Sequence, residues 1–140
     1  MAKIAKEISS IALLLSDGKI VFQRRTKVAP SSPGLLTLFG GQRGSGETPG
    51  QTISRELGEE TSLDPSKLDI VFLGDYVQIG KLLGKKYDAL FHFFQARIPS
   101  LDFEVYEGKG AEVYTRNEAL KRDDLTDSAK YLVTNLLEKA

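Results

Sequence analysis

Between Gly41 and Leu63 the chain reads GQRGSGETPGQTISRELGEETSL, and this stretch constrains the rest more than any other. It signals a helix and then loads it with acid. Thr48 is a good N-cap, Pro49 suits the first helical position, and Gln51 stands where a capping-box partner belongs. Ile53 and Leu57, four apart, form an apolar stripe. Glu56, Glu59 and Glu60 stand at i, i+3 and i+4, neighbouring positions of a helix surface where like charges repel. Glu56 and Glu60 flank the stripe that must pack on a core, and Glu59 lies further round. An ionised carboxylate at such a margin is costly unless something positive meets it. Arg55 can answer Glu59 at i+4; the other two acids call for a cation. Hard oxygen ligands beside a glycine loop suit Mg²⁺ or Mn²⁺, ions usually shared with substrate phosphates. Read alone, RELGEE is also ordinary composition for a solvated, salt-bridged helix.

The wider spacing adds to this. Gly41, Glu47, Arg55, Glu56, Leu57, Glu59, Glu60 and Leu63 follow the order G, five residues, E, seven residues, R-E, aliphatic, any, E-E, any, G, aliphatic. On these residues the chain resembles the Nudix hydrolase family, MutT-like. One position departs: Ser62 replaces the last glycine, which normally ends the helix in a left-handed conformation. That departure bears on the helix exit, not on the chemistry. The resemblance extends over essentially the whole chain and implies an α/β fold, the Nudix-type α/β/α sandwich with a mixed β-sheet. It also implies hydrolysis of a nucleoside diphosphate linkage with Mg²⁺ or Mn²⁺. Glu56 and Glu60 resemble the principal metal ligands, Glu59 a second ligand or a holder of metal-bound water, and the Gly40 carbonyl a further ligand. Glu47 and Arg55 resemble the residues that hold the acids in place, Arg55 as a donor in the catalytic group.

Composition narrows the partners. At 140 residues one domain, 1–140, is expected, long enough to bury a core. Lys+Arg and Asp+Glu both number 19, so nothing favours nucleic acid polymers or anionic membranes. With no cysteine, thiolate catalysis, disulfides and Cys-based zinc sites are excluded. The early apolar run Ile11 to Leu15 is too short for a signal peptide or a membrane span, so a cytoplasmic protein is expected.

Along the chain, Ile8 to Leu15 reads as a buried strand, Asp17-Gly18 as a turn, and Ile20 to Arg24 as the return strand. Thr26 to Gly34 is a loop; Leu35 to Phe39 is a short strand running into Gly40-Gly41. The acidic helix follows from Pro49 to about Thr61, and Asp64-Pro65 breaks the chain. Asp69 to Gln78 and Tyr87 to Ile98 are strands joined by a loop with Gly80, Gly84 and the lysines at 81, 85 and 86, a solvated tip. Glu112 to Tyr114 is a short strand, Arg116 to Lys121 a helical turn, and Thr126 to Lys139 the final helix. This order argues for a mixed sheet covered on both faces.

Further site residues are weighed by position. Glu107-Gly108 resembles the glutamate-glycine pair that supplies a late metal ligand or general base in MutT-type members; Glu104 is its rival, and a solvated loop acid is the plain alternative. Arg24 is placed to face phosphates or to lie on the surface. Asp127 resembles the side chain that reads a purine base, and equally suits the helix dipole. Phe39 lines the pocket or packs. His92, the only histidine, belongs to the core or a pocket wall, which removes any multi-histidine site. Tyr76, Tyr87, Phe91 and Phe93 read as core. The expected activity is a (d)NTP or oxidised-purine pyrophosphohydrolase, acting as monomer or homodimer. ADP-ribose or nucleotide-sugar hydrolysis is the alternative, and a non-catalytic nucleotide-binding module is the rival of another class.

Overall fold

The computed structural model describes residues 4–29, 32–82 and 85–137. Among the described residues, seven strands form one mixed sheet: β1 (Ile4–Leu14), β2 (Ile20–Arg24), β3 (Leu36–Thr37), β4 (Phe39–Gln42), β5 (Val71–Leu82), β6 (Lys85–Arg97) and β7 (Ala111–Tyr114). The order is β3-β2-β1-β6-β5, with β4 also pairing β1 and β7 also pairing β2. Only β1 and β6 run parallel; the other pairings are antiparallel.

The two-residue period of the strands sorts side chains between two layers. Ile11, Leu13, Val21, Phe39 and Phe94 pack with Ile53 and Leu57 of α1 (Pro49–Glu60). Ala12, Leu14, Ile20, Phe22, Phe91 and Phe93 face the other way and meet Ala129, Leu132 and Val133. The second layer is made by α2 (Arg116–Leu120) and α3 (Asp127–Tyr131), which runs on as one π turn, Leu132–Leu136. Tyr131 stacks on Tyr76 at 4.1 Å between ring centroids and ties α3 to β5. Helices thus cover both faces, the sandwich expected from the element order.

The helix α1 follows its sequence signals closely. Thr48 Oγ1 accepts from the Gln51 amide at 3.1 Å and Gln51 Oε1 accepts from the Thr48 amide at 2.9 Å, a complete capping box. Ile53 and Leu57 are fully buried, each worth roughly 1.5–3 kcal/mol of transfer free energy. The helix exit needs no glycine. Thr61 is already extended, with φ −139 and ψ 166, so the chain leaves without a left-handed residue. Ser62 instead joins the next segment: its amide donates to Glu104 O at 3.0 Å and its Oγ accepts from the Glu104 amide at 2.8 Å.

Three expectations about elements are corrected. The strand expected over Leu35–Phe39 is two strands, β3 on β2 and β4 on β1. The chain changes neighbours at Leu38, which brings Gly40 and Gly41 into the sheet opposite Ser10 and Ser9. Most of the loop expected between β5 and β6 is ladder instead: pairing continues to Leu82 opposite Lys85, because cross-strand bonds outweigh the local turn signals of Gly80 and the lysines, and Gly84 lies outside the described residues. Strand β1 starts at Ile4 rather than Ile8, carried by its parallel pairing with β6. The side chains of Lys81, Lys85, Lys86 and Tyr87, and the last residues of the expected final helix, lie outside what the structure describes.

Candidate active site

The sheet places β4 beside α1, and the acids of the helix close over the two glycines. Glu60, the last residue of α1, is 2 % exposed. Its Oε1 accepts from the Gly40 amide at 3.4 Å, and its Oε2 is buried with no hydrogen-bond partner among the described residues. Burial, then the adjacent Glu56 carboxyl, pushes the Glu60 carboxyl up to about 9, and the neighbouring charge of Glu107 adds to the rise. A Cβ on Gly41 would overlap the carboxyl carbon of Glu56. Glycine there is what lets that carboxylate lie against the strand.

Arg55 organises the remaining acids. It donates to Glu47 from Nε at 2.7 Å and from Nη2 at 3.0 Å. Its Nη1 reaches Glu56 at 2.8 Å and Glu59 at 3.2 Å, and Nη2 also reaches Gln42 O at 3.2 Å. Glu47 in turn receives the Gly44 amide at 2.6 Å and Thr52 Oγ1 at 3.1 Å. The Arg55 guanidinium holds the Glu47 carboxyl down to about 2. The most exposed acid of the group is Glu59, at 56 %.

Glu107 reaches the same place from the far end of the chain. The Tyr106 amide donates to Glu60 O at 2.7 Å, which stitches this loop to the end of α1. Gln23 Nε2 donates to Glu107 O at 3.1 Å. Gly108 has φ +71, and a Cβ there would run into Arg24 O, so the turn after Glu107 requires glycine. The Ser62 clip engages the Glu104 backbone, and only Glu107 of the two borders the cavity.

That cavity, of about 380 Å³, opens from Glu60, Gly40 and Gly41 across the sheet face toward α3. Asp127 lies on its rim beside Ser128, with Leu38, Phe91 and Leu125 as apolar wall and Gln78 on the β5 side. The structure therefore brings together Gly40, Glu56, Glu60 and Glu107, with Arg55 and Glu59 next to them and Asp127 at the other end.

Two expected substrate contacts fall elsewhere. Phe39 is wholly buried under α1, and Leu38 borders the cavity in its place, because the switch from β3 to β4 sets which side chain faces which layer. Arg24 does not line the cavity. Its Nε and Nη2 donate to Glu112 at 2.6 and 2.8 Å, and its Nη1 donates to Asp124 at 2.9 Å and Gly34 O at 3.0 Å. Arg25 and Lys6 are the cationic residues along the cavity; Arg25 lies just past the end of β2, and no local signal in the sequence separates it from Arg24. His92 stands on the α1 side of β6, its Nδ1 2.7 Å from Asp75 Oδ1, away from the cavity.

Do these residues suit a divalent ion? Among the described residues no three His, Asp or Glu side chains stand as a finished cation cage. The donor set nevertheless fits: hard carboxylate oxygens converge on a backbone that glycine leaves open, and one buried oxygen of Glu60 has nothing to bind. Glu60 and Glu56 would hold the ion, with Glu107 facing them.

Residues 6–136 match the NUDIX domain family, and the chain belongs to that family. It is accordingly a Nudix-type diphosphohydrolase acting on phosphoric anhydrides, a class that generally uses a divalent metal. Solved structures share the fold. The MutT protein of Methanosarcina mazei Go1 is 18 % identical with a TM-score of 0.78, over 96 % of this chain and 94 % of that one. A MutT NUDIX hydrolase from Burkholderia pseudomallei is 20 % identical, TM-score 0.77, over 94 % and 98 %. The NUDIX domain of Shewanella oneidensis NrtR, complexed with ADP ribose, is 18 % identical, TM-score 0.73, over 94 % and 86 %. No curated protein sequence matches the chain significantly.

Proposed function

We propose that residues 1–140 act as one domain that hydrolyses a nucleoside triphosphate, a (d)NTP or its oxidised-purine form, to the monophosphate and pyrophosphate. The ion is Mg²⁺ or Mn²⁺, and the compartment is the cytoplasm. The observation that carries this reading is the alignment of three features in one cavity: the acids Glu60 and Glu107 at one end, with Glu56 next to Glu60, cationic Lys6 and Arg25 along it, and the acceptor Asp127 at the other. A divalent ion held by Glu56 and Glu60 would supply charge neutralisation for the diphosphate and a lower pKa for bound water. Arg55 keeps Glu56 and Glu59 in place, so these acids need not reorganise when the ion binds. Glu107, exposed beside buried Glu60, is the carboxylate free to take a proton from the attacking water. Asp127 accepts from donor groups on a purine edge. No helix among the described residues is long and apolar enough to cross a membrane.

A second reading, hydrolysis of ADP-ribose or a nucleotide sugar, has one observation in its favour: the similar NUDIX domain from Shewanella oneidensis NrtR is complexed with ADP ribose. A substrate panel with Mg²⁺ separates the two. Pyrophosphate released from a (d)NTP supports the first, and a sugar phosphate released from a nucleotide sugar with no (d)NTP turnover replaces it with the second.

A further inference from the structure

Glu107 stands between β6 and β7, exposed and outside any regular element. An acid on such a segment has no fixed place of its own, yet Glu107 borders the cavity close to Glu60. Bonds on either side of it supply the place. Before it, residues 104–106 run antiparallel to residues 60–62. The Tyr106 amide donates to Glu60 O at 2.7 Å, Thr61 bridges Val105, and the Ser62 amide donates to Glu104 O at 3.0 Å. At and after it, Gln23 Nε2 donates to Glu107 O at 3.1 Å, and the Lys109 amide donates to Arg24 O at 2.8 Å.

The exit of α1 is shaped for the first of these ties. Thr61 is buried; its Oγ1 donates to Leu57 O at 2.7 Å and accepts from the Leu63 amide at 3.2 Å. Extended backbone at Thr61 sends the next side chain to the opposite side, and Ser62 is exposed. There its Oγ accepts from the Glu104 amide at 2.8 Å, a third bond beside the two of the main chain. Phe103 and Val105 pack into the α1 layer on either side of Glu104. Ser62 itself does not border the cavity. A glycine at this position has no oxygen to offer the Glu104 amide and leaves the exit a freer backbone.

We propose that Ser62 is a positioning residue of the hydrolytic site: its hydroxyl and the Gln23 amide clamp the chain on both sides of Glu107 and hold that carboxylate toward buried Glu60. This rests on the reading of Glu107 as the acid that takes the proton. The ladder joins the backbones of both acids, so their separation is set by main-chain bonds and not by side-chain freedom. The residue that breaks the acidic helix's sequence pattern is thereby given work in the site.

Kinetics and amide exchange on the full chain test this. Turnover is followed with Mg²⁺ on the (d)NTP or nucleotide sugar that the substrate panel identifies. Ser62→Ala removes the acceptor at an exposed position and is expected to fold as the wild type by circular dichroism. Its kcat should fall about 3–10-fold, the worth of one net hydrogen bond, with KM little changed. Ser62→Thr keeps the oxygen and should restore kcat. Ser100→Ala removes a similar hydroxyl–amide bond, to Asp102, outside the ladder and should leave kcat unchanged. In the metal-free protein the Tyr106 amide should exchange about 3–10-fold faster in Ser62→Ala and at the wild-type rate in Ser62→Thr. Glu107→Gln should cut kcat about 100-fold or more, and adding Ser62→Ala to it should cost nothing further. Wild-type kcat or Tyr106 exchange in Ser62→Ala overturns the clamp, as does failure of the threonine to rescue, an equal loss in Ser100→Ala, or an undiminished loss on top of Glu107→Gln. Full turnover in Glu107→Gln overturns the reading of Glu107 and the clamp with it, whereas a slow Glu107→Gln beside an unaffected Ser62→Ala overturns the clamp alone.

Discussion

Arg55 grips Glu47 with two nearly parallel hydrogen bonds, 2.7 and 3.0 Å long, and turns its remaining nitrogen toward Glu56 and Glu59. One cation therefore sets the positions of three acids. Glu47 is the anchor, since it is itself fixed by the Gly44 amide and Thr52. Replacing Arg55 by Lys keeps the charge and removes the planar fork. We expect kcat/KM to fall about 10–100-fold with little change in Tm. Near-normal turnover in Arg55→Lys would show that the acids hold their own geometry.

Glu60→Gln tests the buried acid. The amide is isosteric and uncharged, so the metal-free protein should keep its Tm: no ionised group is lost from a site where burial already favours the neutral form. Turnover should drop by several orders of magnitude, with Mg²⁺ uptake weakened in calorimetry. Full activity in this variant refutes its place as the principal ligand.

Gly41→Ala and Gly108→Ala separate function from folding. At Gly41 the new methyl meets the flexible end of Glu56, which can swing away. Stability should change by less than about 1 kcal/mol while activity falls sharply, because the carboxylate that moves is the one required. At Gly108 the methyl meets the rigid Arg24 carbonyl in a left-handed turn, so denaturant unfolding should show a loss of about 1–3 kcal/mol. Equal effects of both changes on stability would contradict this division.

Arg24 makes stability depend on pH. Its hydrogen bonds hold Glu112 down to about 2 and lower Asp124 as well, Arg122 being the larger cause for Asp124. Carboxyls whose folded pKa lies below the unfolded one add stability above the unfolded value, and it is lost as pH falls through the folded value. The wild type should therefore weaken between about pH 4.5 and about 2 on account of Glu112. Arg24→Met should cost about 2–3 kcal/mol at neutral pH and flatten that acid limb. Because Arg24 does not border the cavity, kcat/KM of the folded variant should stay near wild type. A large loss in kcat/KM would restore it to a phosphate-binding role.

Asp127→Ala examines recognition. If its carboxylate accepts from a purine edge, kcat/KM for the preferred base should fall about 10–100-fold while a pyrimidine nucleotide is little affected. A uniform change across bases, or none, assigns Asp127 to the helix N-terminus alone.

The acidic helix was legible in advance because its determinants are local. Capping, stripe and ion-pair spacing all act within four residues along the chain, so Thr48, Gln51, Ile53 and Arg55 reveal them without knowledge of the fold. The neighbouring arginines could not be assigned this way. Arg24 turns inward because Glu112 and Asp124 arrive from 88 and 100 residues away, and nothing beside Arg24 announces them. Phe39 went under α1 for a similar reason: the chain exchanges one partner strand for another at Leu38.

What the linear order of residues determined by itself was the class of chemistry: a run of hard oxygen donors on one helix beside paired glycines, with composition that removes thiol and histidine alternatives. Tertiary structure alone decided which carboxylates lose water and which side chains face the cavity. Glu60 became a buried acid only because β4 and the Glu107 loop closed over it, and the Tyr106 amide bound its carbonyl. Desolvation depends on every element that packs around a group. Residue spacing can nominate an acid, but only the packed sheet and helices set its charge state and its company.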